Sequence, residues 1–363
     1  MFSPRAAKKW STSMDLQEAC VQLRANAVRE LDLCSNSIGE EGAQELALAL
    51  KANSSLTSLD LRSNGIGEAG AQELALALKT NSTLTSLELN SNGVGEGGVR
   101  ELAQALKENS ALTSLNLTRN AIGVGGAREV ALALKESSSI TSLSLMGNDI
   151  GDEGAREVAM ALRESSSLTF LELRDNNIGD DGVRELALAL KENSSLVSLG
   201  LYVVDGGKGE GWQLTSEGQY NCVSEEGAGE LAMALKKNST LTFLDLGLNG
   251  VGRGMGKFGT KELANGLQDN RGLTVLELQS CGIDDDGACD LAKALRENST
   301  LTALDLGRNS IGEIGGMELL AALEHNCALE SLSLQHNGIG PAGEGTLLPT
   351  FDCSFFSNHH WSQ

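Results

Sequence analysis

The residues that could do chemistry in this chain are few and widely spaced. Its 363 residues include only four histidines, all of them after residue 324, and seven cysteines with no C-x-x-C pair. This spacing predicts neither a zinc site nor a disulfide framework, and it favours reduced thiols. No Ser-His-Asp, Cys-His or paired-carboxylate arrangement stands out either. We therefore expect a protein that is not an enzyme and that holds no metal.

One glycine-rich segment matches a nucleotide-binding pattern. Residues 254–259 read Gly-Met-Gly-Lys-Phe-Gly, which fits the G-x-G-x-x-G fingerprint of dinucleotide-binding turns between a strand and a helix. In this chain, however, the segment lies inside one unit of a repeat whose turns are already rich in glycine. We therefore expect no cofactor.

The charge balance is strongly acidic. Lys and Arg total 28 and Asp and Glu total 49, which gives a formal net charge of −21. A surface of this charge repels phosphates, so we expect no nucleic-acid partner and instead a protein partner with a basic surface. No apolar run approaches the roughly 20 residues of a membrane-spanning helix, and no apolar signal core follows the basic start. We expect a cytoplasmic protein without a membrane partner; a short organelle-targeting leader is the alternative.

A 28-residue repeat organises most of the chain. The unit from Leu56 reads LTSLDLRSNGIGEAGAQELALALKTNST, and the next, from Leu84, reads LTSLELNSNGVGEGGVRELAQALKENSA. Eleven units start at residues 28, 56, 84, 112, 140, 168, 196, 241, 273, 301 and 329. Length alone suggests two domains at roughly 150 residues each, but self-similarity at a fixed period predicts one elongated stack.

Each unit combines a strand pattern with a helix pattern. The alternation in L-x-x-L-x-L is typical of a strand with one buried face, and Leu74, Ala75, Ala77 and Leu78 recur at helical spacing. Asn64 lies between the two patterns, where its amide can satisfy backbone groups of the turn. Strands stack about 4.8 Å apart and helices about 10 Å apart, so the stack must curve. The prediction is a right-handed α/β solenoid with a parallel sheet on the concave face and helices on the convex face.

The consensus L-x-x-L-x-L-x-x-N-x-I-G-x-x-G-A-x-x-L-A-x-A-L resembles the ribonuclease-inhibitor class of leucine-rich repeat proteins. It is similar to the repeat region of NACHT-domain (NOD-like) receptors and, more distantly, to Ran GTPase-activating protein. The resemblance covers residues 28–340 and implies a horseshoe-shaped solenoid that binds proteins. The chain contains no G-x-x-x-x-G-K-[ST] motif, so it carries no NACHT-type nucleotide domain.

The ends of the chain depart from the repeat. Residues 15–27 resemble the helical half of a unit, and we expect them to form an N-terminal cap over the first core layer. Residues 1–14 form a basic segment that we expect to be flexible. Residues 341–363 are expected to form a C-terminal cap or a tail.

The seventh unit contains an insertion at residues 202–220, just after its strand and therefore on one rim of the horseshoe. The insertion includes Tyr202, Trp212 and Tyr220. Exposed aromatic residues on a rim loop are typical of partner contact. The alternative is a tolerated surface insertion without a role, since added loop length costs little free energy.

Equivalent positions of successive strands form columns on the concave face. In residues 58–62 the leucines point to the core, so Ser58, Asp60 and Arg62 face the cavity. Seven of the eleven residues in the Asp60 column are acidic: Asp32, Asp60, Glu88, Glu172, Asp245, Glu277 and Asp305. Like charges at strand spacing repel one another, so we expect this column to cost stability and to mark a binding site. A solvated surface without a role is the alternative.

Aromatic and apolar residues join the acids in units six to nine. Phe170, Phe243 and Val275 replace the usual serine, and Arg174 and Tyr202 lie in the Arg62 column. Aromatic anchors surrounded by charge are typical of a binding hot spot, with drift within the repeat as the alternative. The predicted partner-binding residues are Asp60, Glu88, Phe170, Glu172, Arg174, Tyr202, Trp212, Tyr220, Phe243, Asp245, Glu277 and Asp305.

The leading hypothesis is a monomeric, non-catalytic scaffold for protein–protein interaction. It holds a basic protein partner through the concave face and the rim insertion, and its association should be salt-sensitive. One alternative is a GTPase activator resembling Ran GTPase-activating protein, with Arg62 and Asn64 at an early-repeat rim position; the uniform 28-residue units depart from that family's irregular repeats. Another is the ligand-sensing repeat region of a NOD-like receptor.

Overall fold

Short strands alternate with helices along the whole described chain. The computed structural model describes residues 15–202, 221–248 and 255–340; the segments 1–14 and 341–363, and Trp212 and Tyr220 of the insertion, lie outside these ranges. The strands are β1 (Glu30–Asp32), β2 (Ser58–Asp60), β3 (Ser86–Glu88), β4 (Ser114–Asn116), β5 (Ser142–Ser144), β6 (Phe170–Glu172), β7 (Ser198–Gly200), β8 (Phe243–Asp245), β9 (Val275–Glu277), β10 (Ala303–Asp305) and β11 (Ser331–Ser333). The helices are α1 (Leu16–Arg24), α2 (Gly39–Ala52), α3 (Gly67–Leu78), α4 (Gly95–Glu108), α5 (Gly123–Glu136), α6 (Gly151–Glu164), α7 (Asp180–Leu190), α8 (Glu225–Leu235), α9 (Gly256–Asp269), α10 (Asp285–Glu297) and α11 (Glu313–Leu323).

The strands form one open parallel sheet in chain order, from β1 to β11. Each strand pairs with the next at the equivalent position of the repeat, so that Asp60 lies beside Glu88. The register continues across the insertion, where Ser198 pairs with Phe243. The predicted α/β solenoid, with its sheet on the concave side and its helices on the convex side, is confirmed.

An aliphatic core runs between the sheet and the helices. In unit two, Leu59 and Leu61 of the strand segment are buried against Leu74 and Leu78 of α3. Burying a leucine side chain contributes about 1.5–3 kcal/mol, and a similar aliphatic pattern recurs in the other units whose strand and helix are both described. Helix α1 adds Ala19, Cys20 and Leu23 to the same core at its N-terminal end.

A ladder of asparagines, most of them buried, closes the turns that follow most of the described strands. Asn64 is 3% exposed. Its Oδ1 accepts the Asn36 N–H of the preceding unit at 2.8 Å, and its Nδ2 donates to the carbonyl oxygens of Leu33 and Leu61, both at 2.9 Å. Asn92, Asn120, Asn148, Asn176 and Asn221 make equivalent bonds. In unit nine a cysteine takes this position, and the Cys281 Sγ donates to the Leu246 carbonyl at 3.2 Å.

Acidic side chains link the helices from one unit to the next. The Asp152 Oδ1 of α6 accepts the Gly179 and Gly182 N–H groups at the start of α7, at 2.7 and 2.9 Å. Asp285 of α10 does the same for α11, through Gly312 and Gly315. These carboxylates satisfy helix N–H groups that have no partner within their own helix, and they complement the positive end of the helix dipole.

Several lysines on the convex face pair with glutamates of the next helix. Lys79 pairs with Glu108, Lys107 with Glu136 and Lys135 with Glu164, each at 3.0 Å. Exposed pairs of this kind contribute about 0–1 kcal/mol each. Within the described ranges, no helix has both the length and the hydropathy needed to cross a bilayer.

Candidate functional site

The acidic column lies on the concave side, but several of its carboxylates are buried. Asp60 and Glu172 are each 6% exposed and Asp245 is 4% exposed. Glu88, Glu277 and Asp305 are half-buried. The hydrogen bonds of these groups matter for stability, because a buried carboxylate without hydrogen-bond partners is strongly unfavourable.

Several of these carboxylates accept a backbone N–H group two residues further along the chain. Asp60 accepts the Arg62 N–H at 3.0 Å, Asp245 the Gly247 N–H at 3.0 Å, and Asp305 the Gly307 N–H at 2.7 Å. Asn116 makes the same bond in β4, to the Thr118 N–H. The column therefore stabilises the turns that leave the strands. These hydrogen bonds offset part of the cost expected from repulsion between the acidic residues.

Near the N-terminal end, Arg62 binds the carboxylate of its own strand. Its guanidinium pairs with Asp60 at 2.5 Å, and this hydrogen bond raises the pKa of Arg62. Glu88 lies beside this pair, and burial raises the pKa of its carboxyl group. Arg62 and Asn64 are thus both engaged in the turn after β2, which gives them a structural role at the position considered for a GTPase activator.

A second charged cluster lies on β6 and β7. The Arg174 Nε lies 2.7 Å from the Glu172 Oε1, and the Arg174 Nη1 donates to the Tyr202 hydroxyl at 2.5 Å. The Arg174 guanidinium also lies 4.6 Å from the centroid of the Tyr202 ring, within range of a cation–π interaction. Burial raises the pKa of Glu172 despite the attraction of Arg174. Burial likewise raises the pKa of the Tyr202 hydroxyl.

Gly200 makes room for this cluster. A Cβ atom at residue 200 would lie 2.5 Å from the Glu172 Oε1, so the carboxylate occupies the space that a side chain on β7 would fill. Any larger residue would displace Glu172 from Arg174. The sequence signal for this role is the interruption of the acidic column by a glycine.

Two further carboxylates meet on β8 and β9. Asp245 and Glu277 pair in register and are hydrogen-bonded to each other. Burial, and then the charge of Glu277, raise the pKa of Asp245 well above its ordinary value. Each of the two closely spaced carboxyl groups therefore disfavours ionisation of the other.

Aromatic residues stand beside these acids. Phe170, Ser198, Phe243 and Val275 occupy equivalent positions of four adjacent strands. Phe170 is 39% exposed, and the other three are partly exposed. Two phenyl rings thus face the concave side with a serine between them.

The structure brings together seven of the predicted site residues on β6–β9: Phe170, Glu172, Arg174, Tyr202, Phe243, Asp245 and Glu277. Asp305 lies beside Glu277 on the next strand. Asp60 and Glu88 lie on β2 and β3, several strands away. Trp212 and Tyr220 fall outside the described residues. Ser198 and Gly200 belong to the cluster and were missed, because small residues carry no chemical signal of their own.

The glycine-rich segment at residues 254–259 has a packing role in its described part. Gly256 has φ +53°, a conformation that favours glycine. A Cβ atom at Gly259 would lie 2.9 Å from the Glu225 Cα of α8, so this glycine allows α8 and α9 to pack closely. Within residues 15–202, 221–248 and 255–340, no three or more His, Cys, Asp or Glu side chains are grouped to hold a metal ion.

Several solved structures are similar to this chain. Rad7 in the Rad7–Elc1 complex of yeast is 18% identical, with 92% of this chain and 83% of that chain covered and a TM-score of 0.49. The tropomodulin C-terminal domain of Caenorhabditis elegans is 14% identical, with 47% and 92% covered and a TM-score of 0.37. The actin-binding site 2 of leiomodin-1 is 19% identical, with 55% and 87% covered and a TM-score of 0.34.

No curated protein matches the sequence. A family model described as Leucine Rich repeat matches ten segments that together make up more than half of the chain. They are residues 26–47, 52–75, 80–103, 108–131, 136–159, 164–187, 237–253, 269–292, 297–320 and 325–343. With its repeats stacked into a parallel sheet, the chain belongs to the leucine-rich repeat family.

Proposed function

We propose that this protein is a scaffold that binds a protein partner with a basic surface on its concave face over β6–β9. One observation carries the proposal: exposed aromatic rings and a cluster of carboxylates lie together on adjacent strands, as in binding hot spots. Phe170 supplies the most exposed ring, and Glu172, Asp245 and Glu277 lie next to the two rings.

The charge of this region favours a cationic partner. In the three concave columns over β6–β10, all of them within the described residues, Arg174 is the single cation against Glu172, Asp245, Glu277 and Asp305. On the convex face, by contrast, lysines pair with glutamates of the next helix. A net charge of −21 also favours a monomer and should steer a basic partner towards the protein.

A double neutralisation tests the concave face. Glu277→Gln with Asp305→Asn replaces two carboxyl groups with amides, which keep a side-chain acceptor at each position, as Asn116 does in β4. We expect octalysine to bind about fivefold more weakly to this variant at low salt, because each partly exposed ion pair contributes about 0.2–1 kcal/mol. Isothermal titration calorimetry at several salt concentrations measures this difference.

The matched control is Glu41→Gln with Glu153→Gln, two exposed residues in the first turns of convex helices. It makes the same change in net charge away from the concave face, and we expect it to leave octalysine binding nearly unchanged. Equal weakening by both variants would mean that the probe senses only the net charge, and the concave face would not be the site.

The rim insertion is proposed as a second contact. A variant lacking residues 203–219 keeps residues 202 and 220, so that two residues separate Leu201 from Asn221. This is the spacing between strand segment and ladder asparagine in the other units. We expect it to lose capture of its cellular partner but to bind octalysine as the intact chain does. Unchanged capture would assign the insertion no role in binding.

The alternative functions have less support. A GTPase activator would use Arg62 and Asn64, yet Arg62 pairs with Asp60 and Asn64 is buried in the ladder. Absence of accelerated GTP hydrolysis by Ran at micromolar protein would remove this alternative. The receptor alternative is tested by looking for a nucleotide-binding domain in the same transcript.

A further inference from the structure

The two phenyl rings on the concave face define a gap two strands wide. Phe170 pairs with Ser198, and Ser198 pairs with Phe243, so the two phenylalanines flank a serine in one column. At a strand spacing of about 4.8 Å, their backbones lie about 10 Å apart. The small side chain of Ser198 forms the floor and is itself partly exposed, so the gap opens to solvent.

The gap departs from the repeat consensus. The same column holds serine in six of the eleven units, at Ser58, Ser86, Ser114, Ser142, Ser198 and Ser331. The core leucine of β6, Leu171, is fully buried beneath the sheet, as Leu59 is in β2. Core packing of the strand therefore does not require phenylalanine at residue 170. The two phenylalanines therefore alter the concave surface and leave the core unchanged.

Carboxylates line one side of the gap. Glu172 and Asp245 follow Phe170 and Phe243 by two residues, so they lie about 7 Å along their strands on the same face. Glu277 lies beside Asp245 and is partly exposed. Arg174 balances Glu172, and the carboxyl groups of Asp245 and Glu277 make the surroundings of the rings acidic.

A flat cation fits these surroundings better than a compact one. Aromatic faces attract cations, and a guanidinium group stacks on a ring while its N–H groups remain free to bond carboxylates. An ammonium group is more strongly hydrated and has no plane to stack. The protein already contains such a contact nearby, between Arg174 and the Tyr202 ring.

We infer that the gap between Phe170 and Phe243 binds an arginine side chain of the partner, with the guanidinium stacked between the rings beside the acidic column. This inference rests on the proposed function, because it names the residue by which a basic partner would be recognised. Lysines of the partner would contribute charge but would not occupy the gap.

Two peptides of equal charge test the inference. The probes are acetylated, amidated KKRKK and KKKKK, titrated into the intact protein at low salt by calorimetry. We expect the arginine peptide to bind about fivefold more tightly, from a cation–π gain of about 0.5–1 kcal/mol per ring. In Phe170→Ser with Phe243→Ser this preference should fall to less than about twofold, while binding of KKKKK is unchanged. Serine is the consensus residue of the column, so the variant should fold.

The matched control is Phe258→Ser, which removes an exposed phenylalanine from α9 on the convex face. It should keep the full preference for arginine. Equal affinity of the two peptides for the intact protein, or a preference that persists in the double variant, would overturn the inference while leaving the scaffold proposal standing. Failure of both peptides to respond to Glu277→Gln with Asp305→Asn would instead overturn the proposed function.

Discussion

The concave surface over β2–β5 and the concave surface over β6–β9 share one backbone register and differ in their side chains. Over β2–β5 the first column is entirely serine, and Asn116 and Ser144 interrupt the acids. Over β6–β9 the same positions carry Phe170 and Phe243 next to clustered carboxylates. Beneath both regions, the two core positions of every strand segment are leucine. The comparison teaches that the repeat determines the scaffold, and that departures from the repeat locate the candidate site.

The largest expected effect tests whether the two regions share one scaffold. Asn120→Ala, behind β4, and Asn176→Ala, behind β6, each leave buried backbone groups of the turns without partners. We expect both to lower the free energy of unfolding by about 3 kcal/mol, as measured by urea denaturation. Asn120→Cys should cost less, because Cys281 makes the equivalent bond in unit nine. A clear difference between the two alanine variants would mean that the regions are not equivalent beneath their surfaces.

The second expected effect separates the two arginine–carboxylate pairs. Arg174→Met leaves the buried Glu172 without its cation and should lower stability by about 2 kcal/mol. Arg62→Met affects a more exposed pair and should cost only about 0.5 kcal/mol.

The loss in Arg174→Met should also depend on pH. The pKa of Glu172 is already raised by burial and rises further without Arg174. A carboxyl group with a raised folded-state pKa destabilises the fold as pH increases through that pKa. Thermal unfolding should therefore show a larger loss in mildly alkaline than in mildly acidic buffer, and a loss independent of pH would contradict this assignment.

Replacing Asp245 should have a smaller effect on stability and should raise it rather than lower it. Because its pKa is raised well above the ordinary value by burial and by Glu277, its folded form is most stable when protonated. Stability is lost as pH rises through the folded-state pKa, so Asp245→Asn should raise the melting temperature by about 2 °C near pH 8. The gain should vanish below about pH 4, where the carboxyl is protonated in both states.

Asp60→Asn in the other region should instead lower the free energy of unfolding by about 0.5 kcal/mol, because it removes the pair with Arg62.

The smallest expected effect asks whether aromatic rings suffice for binding. Ser114→Phe would create a second pair of rings, residue 114 and Phe170, separated by Ser142. Asn116 and Ser144 place fewer acids beside this gap. We expect stability to change by less than about 0.5 kcal/mol and the affinity for KKRKK by less than about twofold. A gain as large as the loss expected from Phe170→Ser with Phe243→Ser would mean that the carboxylates are not needed.

Much of the fold could be predicted because the same pattern of residue types recurs from unit to unit. The period of leucines such as Leu59 and Leu61 determines which side of each strand is buried, and equal unit lengths determine the register between strands. Asn64 was correctly assigned to the turn, because an amide can both donate and accept where two backbones meet.

The site was predicted less completely, because side-chain direction depends on neighbouring units. The column placed Asp60 and Asp245 on the concave face, but their bonds to backbone N–H groups depend on the turn conformation two residues later. The role of Gly200 depends on where the carboxylate of the neighbouring strand extends, which no pattern within a single unit encodes.

Hydrogen bonds across the junctions between units run in both directions along the stack. Asn64 of unit two closes the turn of unit one, whereas Asp152 of unit five caps the helix of unit six. A single unit in isolation lacks both and would not hold its shape. The contacts between neighbouring units should therefore contribute more to stability than the contacts within one unit. We expect the units to unfold together rather than one at a time. Calorimetric and van't Hoff enthalpies that agree for the whole chain would reveal this behaviour, whereas stepwise fraying from the ends would make them diverge.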